Sequence, residues 1–239
     1  MEKEYPVIDV HSHVLPGIDD GSRTMEESLK LLEMVKEQGV DAVFATPHCP
    51  RRGPVRPTEE LLSELREKVH GRLGSFSIYS GHETFYHENL PAQLKGGEAR
   101  TLAGGKFVLV EFRTDVPYSA LYRGLRTLGS SGYIPVLAHM ERYGCLRTEK
   151  NLEDLTGCGC WLQMNFDSIQ GNWLNPDVRW CRKQILKGRI RLMGTDMHRL
   201  DFRPPNIRQA MKWMEGHVEP VMLKRILCDN PGRIIDNKN

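Results

Sequence analysis

Five histidines and three acids of this 239-residue chain stand at or just beyond the ends of short apolar runs. Val7-Ile8-Asp9-Val10 leads into His11-Ser12-His13, Val43–Thr46 into His48, and Phe76–Tyr79 towards Glu83. Phe107–Val110 ends at Glu111, Ile134–Ala138 at His139, and Ile190–Met193 leads to Asp196-Met197-His198. Imidazole with carboxylate, and without thiolate, favours Mn, Fe or Zn at a catalytic site over a structural zinc. Eight such groups exceed what one tetrahedral ion takes and suit two or three ions bridged by carboxylates. Clustered divalent ions with few anionic ligands stabilise a phosphoryl group and bring the pKa of bound water near neutrality.

Every one of these residues also has a plainer reading. His11 and His13 share one face if the strand runs on through them, and are loop histidines if it does not. His48 alone reads as a hydrogen-bonded loop residue. Glu83 has a solvated loop acid as its alternative, and Glu111 a salt bridge to Arg113 or Arg142. A carboxylate beside a buried strand is costly unless paired or metal-bound, which gives these two acids weight. Arg142 and Arg203 follow ligand positions and carry the fork that grips phosphate oxygens. Surface ion pairs are the alternative for both, and the better reading for Arg51, Arg52 and Arg56. His70, His82, His87 and His217 lack such placement.

The elements that must hold these groups follow from the pattern. Strands are expected near Val7–Val10, Asp41–Thr46, Phe76–Ser80, Phe107–Glu111, Ile134–Ala138, Cys160–Asn165 and Ile190–Met193. They are short and apolar on both faces, as parallel strands covered by helices should be. Thr24 with Glu27 reads as a capping box opening a helix that ends near Gly39. Further helices are expected near Thr58–Val69, Tyr118–Leu128, Glu149–Leu155, Pro176–Leu186, Asn206–Glu215, Pro220–Cys228 and Pro231–Asp236. About seven β-then-α units point to an α/β fold closed as a parallel barrel, whose chemistry sits at the C-terminal strand ends. No linker is visible, so residues 1–239 read as one domain.

Composition narrows the function. The chain is 39% hydrophobic and 27% charged with a net charge of +2, ordinary values that imply no nucleic-acid or membrane surface. No basic stripe or aromatic stacking surface for nucleic acid is evident. No run nears the roughly 18 apolar residues that span a bilayer, and the start lacks the order of a secretory signal. A cytoplasmic location is expected. The six cysteines form no C-x-x-C pair and read as free thiols, Cys158-Gly-Cys160 as filler at a strand start. None has an arginine six positions later, which excludes a cysteine-based tyrosine phosphatase.

These residues resemble the PHP (polymerase and histidinol phosphatase) superfamily, on Asp9-Val-His11-Ser-His13, Thr46-Pro-His48, His139 and Asp196-Met-His198. The match narrows with the long stretch from Asp9 to Gly21, Gly81-His-Glu83, Val110-Glu111-Phe112, His139-Met-Glu-Arg142 and Gly194-Thr-Asp-Met-His198. Together these look like the bacterial manganese-dependent protein tyrosine phosphatases that accompany capsular and exopolysaccharide tyrosine kinases. The resemblance implies a distorted parallel β/α barrel of the PHP type with a trinuclear Mn centre, Fe or Zn being the alternatives. It implies His11, His13, His48, Glu83, Glu111, His139, Asp196 and His198 as ligands, and Arg142 and Arg203 as phosphate-orienting groups. Asp20, in the Asp-Asp-Gly turn, is implied as an acid or as support behind the ligands. The implied substrate is phosphotyrosine on a bacterial tyrosine autokinase, hydrolysed directly. The rivals are a PHP phosphatase for a small molecule such as histidinol phosphate, and a barrel that only binds a partner. Met140, Thr195 and His82 depart from the usual proline, serine and glutamine; none removes a ligand, and His82 offers an additional one.

Overall fold

Alternate residues of the short strands go to opposite sides of their sheets, and that alternation builds two apolar clusters. The structure, a computed structural model, describes residues 4–49 and 58–237; Arg51, Arg52 and Arg56 lie outside them. Its strands are β1 (Ile8–Ser12), β2 (Ala42–Ala45), β3 (Ser77–Ser80), β4 (Glu83–Phe85), β5 (Phe107–Glu111), β6 (Ile134–Leu137), β7 (Trp161–Asn165) and β8 (Ile190–Gly194). Its helices are α1 (Met25–Glu37), α2 (Thr58–Leu73), α3 (Leu90–Gly96), α4 (Tyr118–Ser130), α5 (Glu149–Gly157), α6 (Pro176–Leu186), α7 (Arg208–His217), α8 (Pro220–Lys224) and α9 (Asn230–Asp236).

All strand pairs are parallel, in two sheets ordered β1-β2-β3 and β4 through β8. Isolated parallel bridges, Ser12 to Met197 and His48 to Glu83, tie one sheet to the other. The chain is thus α/β with parallel sheets, and eight strands lie among the described residues where about seven were expected. The addition is β4, a three-residue strand that the sequence pattern does not predict.

Ile8, Val10, Ala42, Phe44, Phe107, Leu109, Val136, Ala138 and Leu192 form the smaller cluster, joined by Ile234 of α9. The intervening residues Val43, Ala45, Val108, Val110 and Leu137 pack with the helices instead. Complete burial of a Leu, Ile or Phe is worth roughly 1.5–3 kcal/mol, so each strand is held from both faces. Thr24 caps α1 as expected: its Oγ1 accepts the Glu27 N–H at 3.2 Å. The Glu27 carboxylate reaches back to the Arg23 N–H, one residue earlier than a capping box requires. No helix among the described residues is long and apolar enough to cross a membrane.

One irregularity of β1 sets up the site. Asp9 pairs with Val43 and Ser12 with Ala45, so Val10 and His11 together oppose the single residue Phe44. That extra residue is a bulge, which reverses the alternation beyond it. Strict alternation from Ile8 and Val10 would turn Ser12 inward. With the bulge, Ser12 turns to the β2 backbone, its hydroxyl donating to the Phe44 carbonyl at 2.7 Å, and His11 and His13 face the opposite way.

Candidate metal centre

The C-terminal ends of six strands, β1, β2, β3, β5, β6 and β8, or the turns just beyond them, bring the eight sequence candidates together. His48 lies beyond β2, held beside β4 because the Glu83 N–H donates to the Pro47 carbonyl (3.1 Å) and the Cys49 N–H to the Glu83 carbonyl (2.9 Å). Glu83 pairs with Leu109 and Phe85 with Glu111, which sets the two acids on the face that Leu109 presents to the smaller cluster. His139, Asp196 and Arg203 take left-handed φ values of 32°, 53° and 53°. Non-glycine residues rarely adopt that conformation, and such strain gathers at functional sites. Three of the four described examples are here, Ala103 being the other.

Glu83 is the hub. Its Oε2 lies 3.3 Å from His11 Nε2, 3.2 Å from His13 Nε2 and 3.2 Å from His48 Nδ1. Its Oε1 is 2.8 Å from His139 Nε2. Glu111 closes the same corner, 3.6 Å from His48 Nδ1 and 3.7 Å from His139 Nε2. Arg113 pairs with Asp115 and Arg142 with Asp196. Asp196 Oδ1 lies 3.6, 3.4 and 3.6 Å from His11, His13 and His198. Its Oδ2 receives Arg142 at 2.5 Å and Arg203 at 3.2 Å. Asp20 Oδ1 stands 3.7 Å from both His48 Nε2 and His198 Nε2.

These separations suit shared ions better than direct bonds. His11 Nε2 and His13 Nε2 face each other at 3.3 Å, and both face Glu83. Donors about 2.1 Å from one ion stand about 3.0–3.4 Å apart. Three groups of side chains bring their donor atoms within 4.8 Å of one another, near that spacing: His13, Asp20, His48 and His198; His11, His13 and Glu83; His48, Glu83 and Glu111. Any two of the three groups share one residue. His82 belongs to none of them; its Nδ1 accepts the Arg100 N–H at 3.2 Å.

A second layer fixes which nitrogen each imidazole offers. His11 Nδ1–H donates to Gln163 Oε1 (3.2 Å), His13 Nδ1–H to Asp19 Oδ2 (2.7 Å) and His198 Nδ1–H to the Asp196 carbonyl (2.7 Å). Each bond leaves an Nε2 lone pair aimed at the cluster, as bound histidines require. Gln163 Oε1 also accepts the His139 N–H at 2.7 Å, and its Nε2 donates to Asn165, which in turn donates to Asp196. Asp9 accepts from the N–H groups of His11 and Thr195 and from the Thr195 hydroxyl. Glu141 accepts the Asn165 N–H and the Ser168 hydroxyl, tying the His139–Arg142 turn to the end of β7.

Charge in the cluster follows from burial set against neighbours. Burial disfavours a charged His13, yet bonds to Asp19, Asp196 and Glu83 outweigh it and hold the imidazole well above its ordinary pKa. Burial likewise opposes ionised Glu83 and Asp196, but His11 above all holds both carboxyls below the usual range. Burial, then the charge of His13, pushes His198 down to about 4. Burial alone raises Asp9 to about 6 and Glu141 to about 7, despite their hydrogen bonds. Asp19 goes the other way, to about 2, because its bond to His13 outweighs burial.

Asp19 is the residue that the sequence reading passed over. The Asp-Asp-Gly turn gives both of its acids work. Asp20 faces the open side, 59% exposed, while Asp19 turns in to hold His13, the His48 N–H and the Gly21 N–H. Gly21 is required there, since a Cβ would stand 2.2 Å from the His13 carbonyl oxygen. Replacing Asp19 by Ala should weaken divalent-metal binding 10- to 100-fold, the usual loss when support behind a ligand is removed. Titration of the metal-free variant with Mn, followed calorimetrically, measures it; wild-type affinity would show that Asp19 does not support the site.

A family model described as capsular polysaccharide synthesis, CpsB/CapC, matches residues 7–236. The tyrosine-protein phosphatase CpsB of Streptococcus agalactiae is 31% identical over 241 aligned positions, covering 97% of this chain and 99% of that protein. The tyrosine-protein phosphatase YwqE of Bacillus subtilis is 26% identical, over 91% of this chain and 88% of its own length. Among solved structures, one reported with YwqE from Bacillus subtilis and CpsB from Streptococcus pneumoniae, described as metal-dependent tyrosine phosphatases, superposes with a TM-score of 0.83. It shares 24% identity over 97% of this chain and 95% of its own. The phosphotriesterase homology protein of Escherichia coli superposes with a TM-score of 0.58 at 12% identity, a likeness of fold.

Proposed function

Since the chain belongs to the CpsB/CapC family of capsular polysaccharide synthesis proteins, we propose that it is a metal-dependent protein tyrosine phosphatase. Its substrate on this reading is phosphotyrosine on a bacterial tyrosine autokinase that controls capsular or exopolysaccharide synthesis in the cytoplasm. The observation that carries the reading is the interlocking of the three donor groups through His13, His48 and Glu83. A lone ion site needs no such sharing; a cluster built for phosphoryl transfer does.

We assign His11, His13, His48, Glu83, Glu111, His139, Asp196 and His198 to hold two or three divalent ions, Mn first, with Fe or Zn as alternatives. Asp20 joins them rather than serving as a separate acid, because its carboxylate completes a group of three histidines. Bound ions of this kind supply Lewis-acid stabilisation of phosphoryl oxygens and lower the pKa of water. The arginines do the rest. Arg142 and Arg203 converge on Asp196 from the partly exposed side of the cluster, 32% and 43% exposed. Asp196 aligns the two guanidinium forks, which then grip the phosphoryl oxygens and orient phosphorus for in-line displacement. Burial of Glu83 and His11 keeps water from screening the charges.

The test compares phosphate release from a phosphotyrosine peptide and from histidinol phosphate, after metal stripping and single additions of Mn, Fe, Zn or Mg. Release from the peptide with Mn, lost in His139→Ala, is the expected result. Preference for histidinol phosphate would assign the site to small molecules. Silence on both with metal bound would leave only a binding role.

A further inference from the structure

The hydrolysis described above makes no use of Phe202, yet this ring is held with care. It is 41% exposed, on the turn that follows the candidate ligand His198. Its ring meets the His198 ring edge-on, with centroids 5.8 Å apart and planes at 89°. The guanidinium groups of Arg199 and Arg203 lie 5.2 and 5.0 Å from its centre. The turn itself is closed by backbone bonds: Arg199 N–H to the Phe202 carbonyl at 2.9 Å, and His198 N–H to the Arg203 carbonyl at 3.1 Å. Its outer side is pinned to the start of α1 through Leu200 N–H to Glu27 (3.2 Å) and Arg23 to Asp201 (3.2 Å). An aromatic ring fixed in this way has lost its freedom before any ligand arrives, so packing against it costs little further ordering.

Position gives the ring a task. Arg203, the next residue, takes a left-handed φ of 53° and reaches Asp196 with its guanidinium. The Arg203 guanidinium lies 5.0 Å from the Phe202 ring centre, so a phosphate ester gripped by Arg142 and Arg203 would carry its leaving group within reach of that ring. On an aryl ester, the next atoms outward form a flat apolar ring; on an alkyl ester, they do not.

We propose that Phe202 is a specificity-determining residue, packing against the aryl ring of the phosphotyrosine side chain and so favouring aryl over alkyl phosphate esters. This rests on the phosphotyrosine reading given above. In Phe202→Ala, KM for a phosphotyrosine peptide should rise about five- to tenfold with kcat little changed, the scale of one aromatic pair. Phe202→Tyr should restore the wild-type KM. The inhibition constant of inorganic phosphate, which has no ring, should stay within about twofold in both variants. A phosphate constant that rises in step with KM would overturn the proposal, because Phe202 would then only prop Arg203. An unchanged KM would overturn it as well. Should the wild-type protein bind inorganic phosphate yet release none from the peptide, the phosphotyrosine reading itself fails, and that outcome is visible before any variant is made.

Discussion

Glu83→Gln should lower phosphotyrosine turnover by well over 100-fold while leaving the shape of the side chain almost unchanged. The carboxylate sits 1% exposed at the meeting point of His11, His13, His48 and His139, with four nitrogen contacts between 2.8 and 3.3 Å. Its Oε2 faces the histidines of two donor groups and its Oε1 faces His139, so one substitution degrades both groups. The amide keeps one weak, neutral acceptor and replaces the other oxygen by an N–H₂, which has no lone pair to offer an ion. Loss of support behind a ligand alone removes about 10- to 100-fold, and loss of a shared ligand must exceed that. Steady-state turnover with metal content per chain, measured on one sample, checks the expectation. Turnover within tenfold of wild type would mean that Glu83 is not shared between ions.

The second large effect falls on a residue with no chemistry. Gly194 ends β8, where that strand passes β1. A Cβ there would lie 2.6 Å from His11 Cβ, 3.0 Å from Gln163 Nε2 and 3.2 Å from the His11 nitrogen. Two of those three atoms belong to the backbone or first side-chain carbon of β1, which cannot turn aside. Gly194→Ala must therefore push β1 from β8 or shift His11. Overpacking of this kind costs about 1–3 kcal/mol, and the rigid obstruction argues for the upper end. A loss near 3 kcal/mol lowers Tm by about 6–12 °C in a chain of this size. Activity should fall further than stability, because a displacement of about 1 Å near the reacting groups costs about 100-fold. Gly216→Ala is the contrast: nothing lies within 4 Å of its Cβ and it sits in α7, so Tm should hold or rise. Equal thermal scans for the two variants would remove the argument from close approach.

The sequence displayed the donors because each ends an apolar run: the buried stretch Ile134–Ala138 leaves His139 as the first polar group, and Phe107–Val110 does the same for Glu111. What it concealed was register. Alternation from Ile8 and Val10 points Ser12 inward; only the pairing of Ser12 with Ala45 reveals the bulge that aims His11 and His13 instead. Strand β4 was hidden by its brevity, since Glu83-Thr84-Phe85 is too short to show a period of two. Asp19 and Asp20 are the same residue type side by side, and the turn decides which one is buried. Gln163 and Asn165 are neutral amides in an ordinary strand sequence, so their chain of bonds from His11 to Asp196 exists only once β7 lies between β6 and β8. Helix bounds held more closely: α6 runs from Pro176 to Leu186 as its Pro-first start indicates, while α2 extends to Leu73, beyond the expected Val69.

The most direct test is a titration of the metal-free protein with Mn, in which ions bound per chain and phosphate released from a phosphotyrosine peptide are read from the same samples. Activity should be absent without metal and appear only as the second or third ion binds, because the donor groups are complete only together. Full turnover by the metal-free protein, or by a protein saturated with a single ion per chain, would contradict the account of a shared cluster.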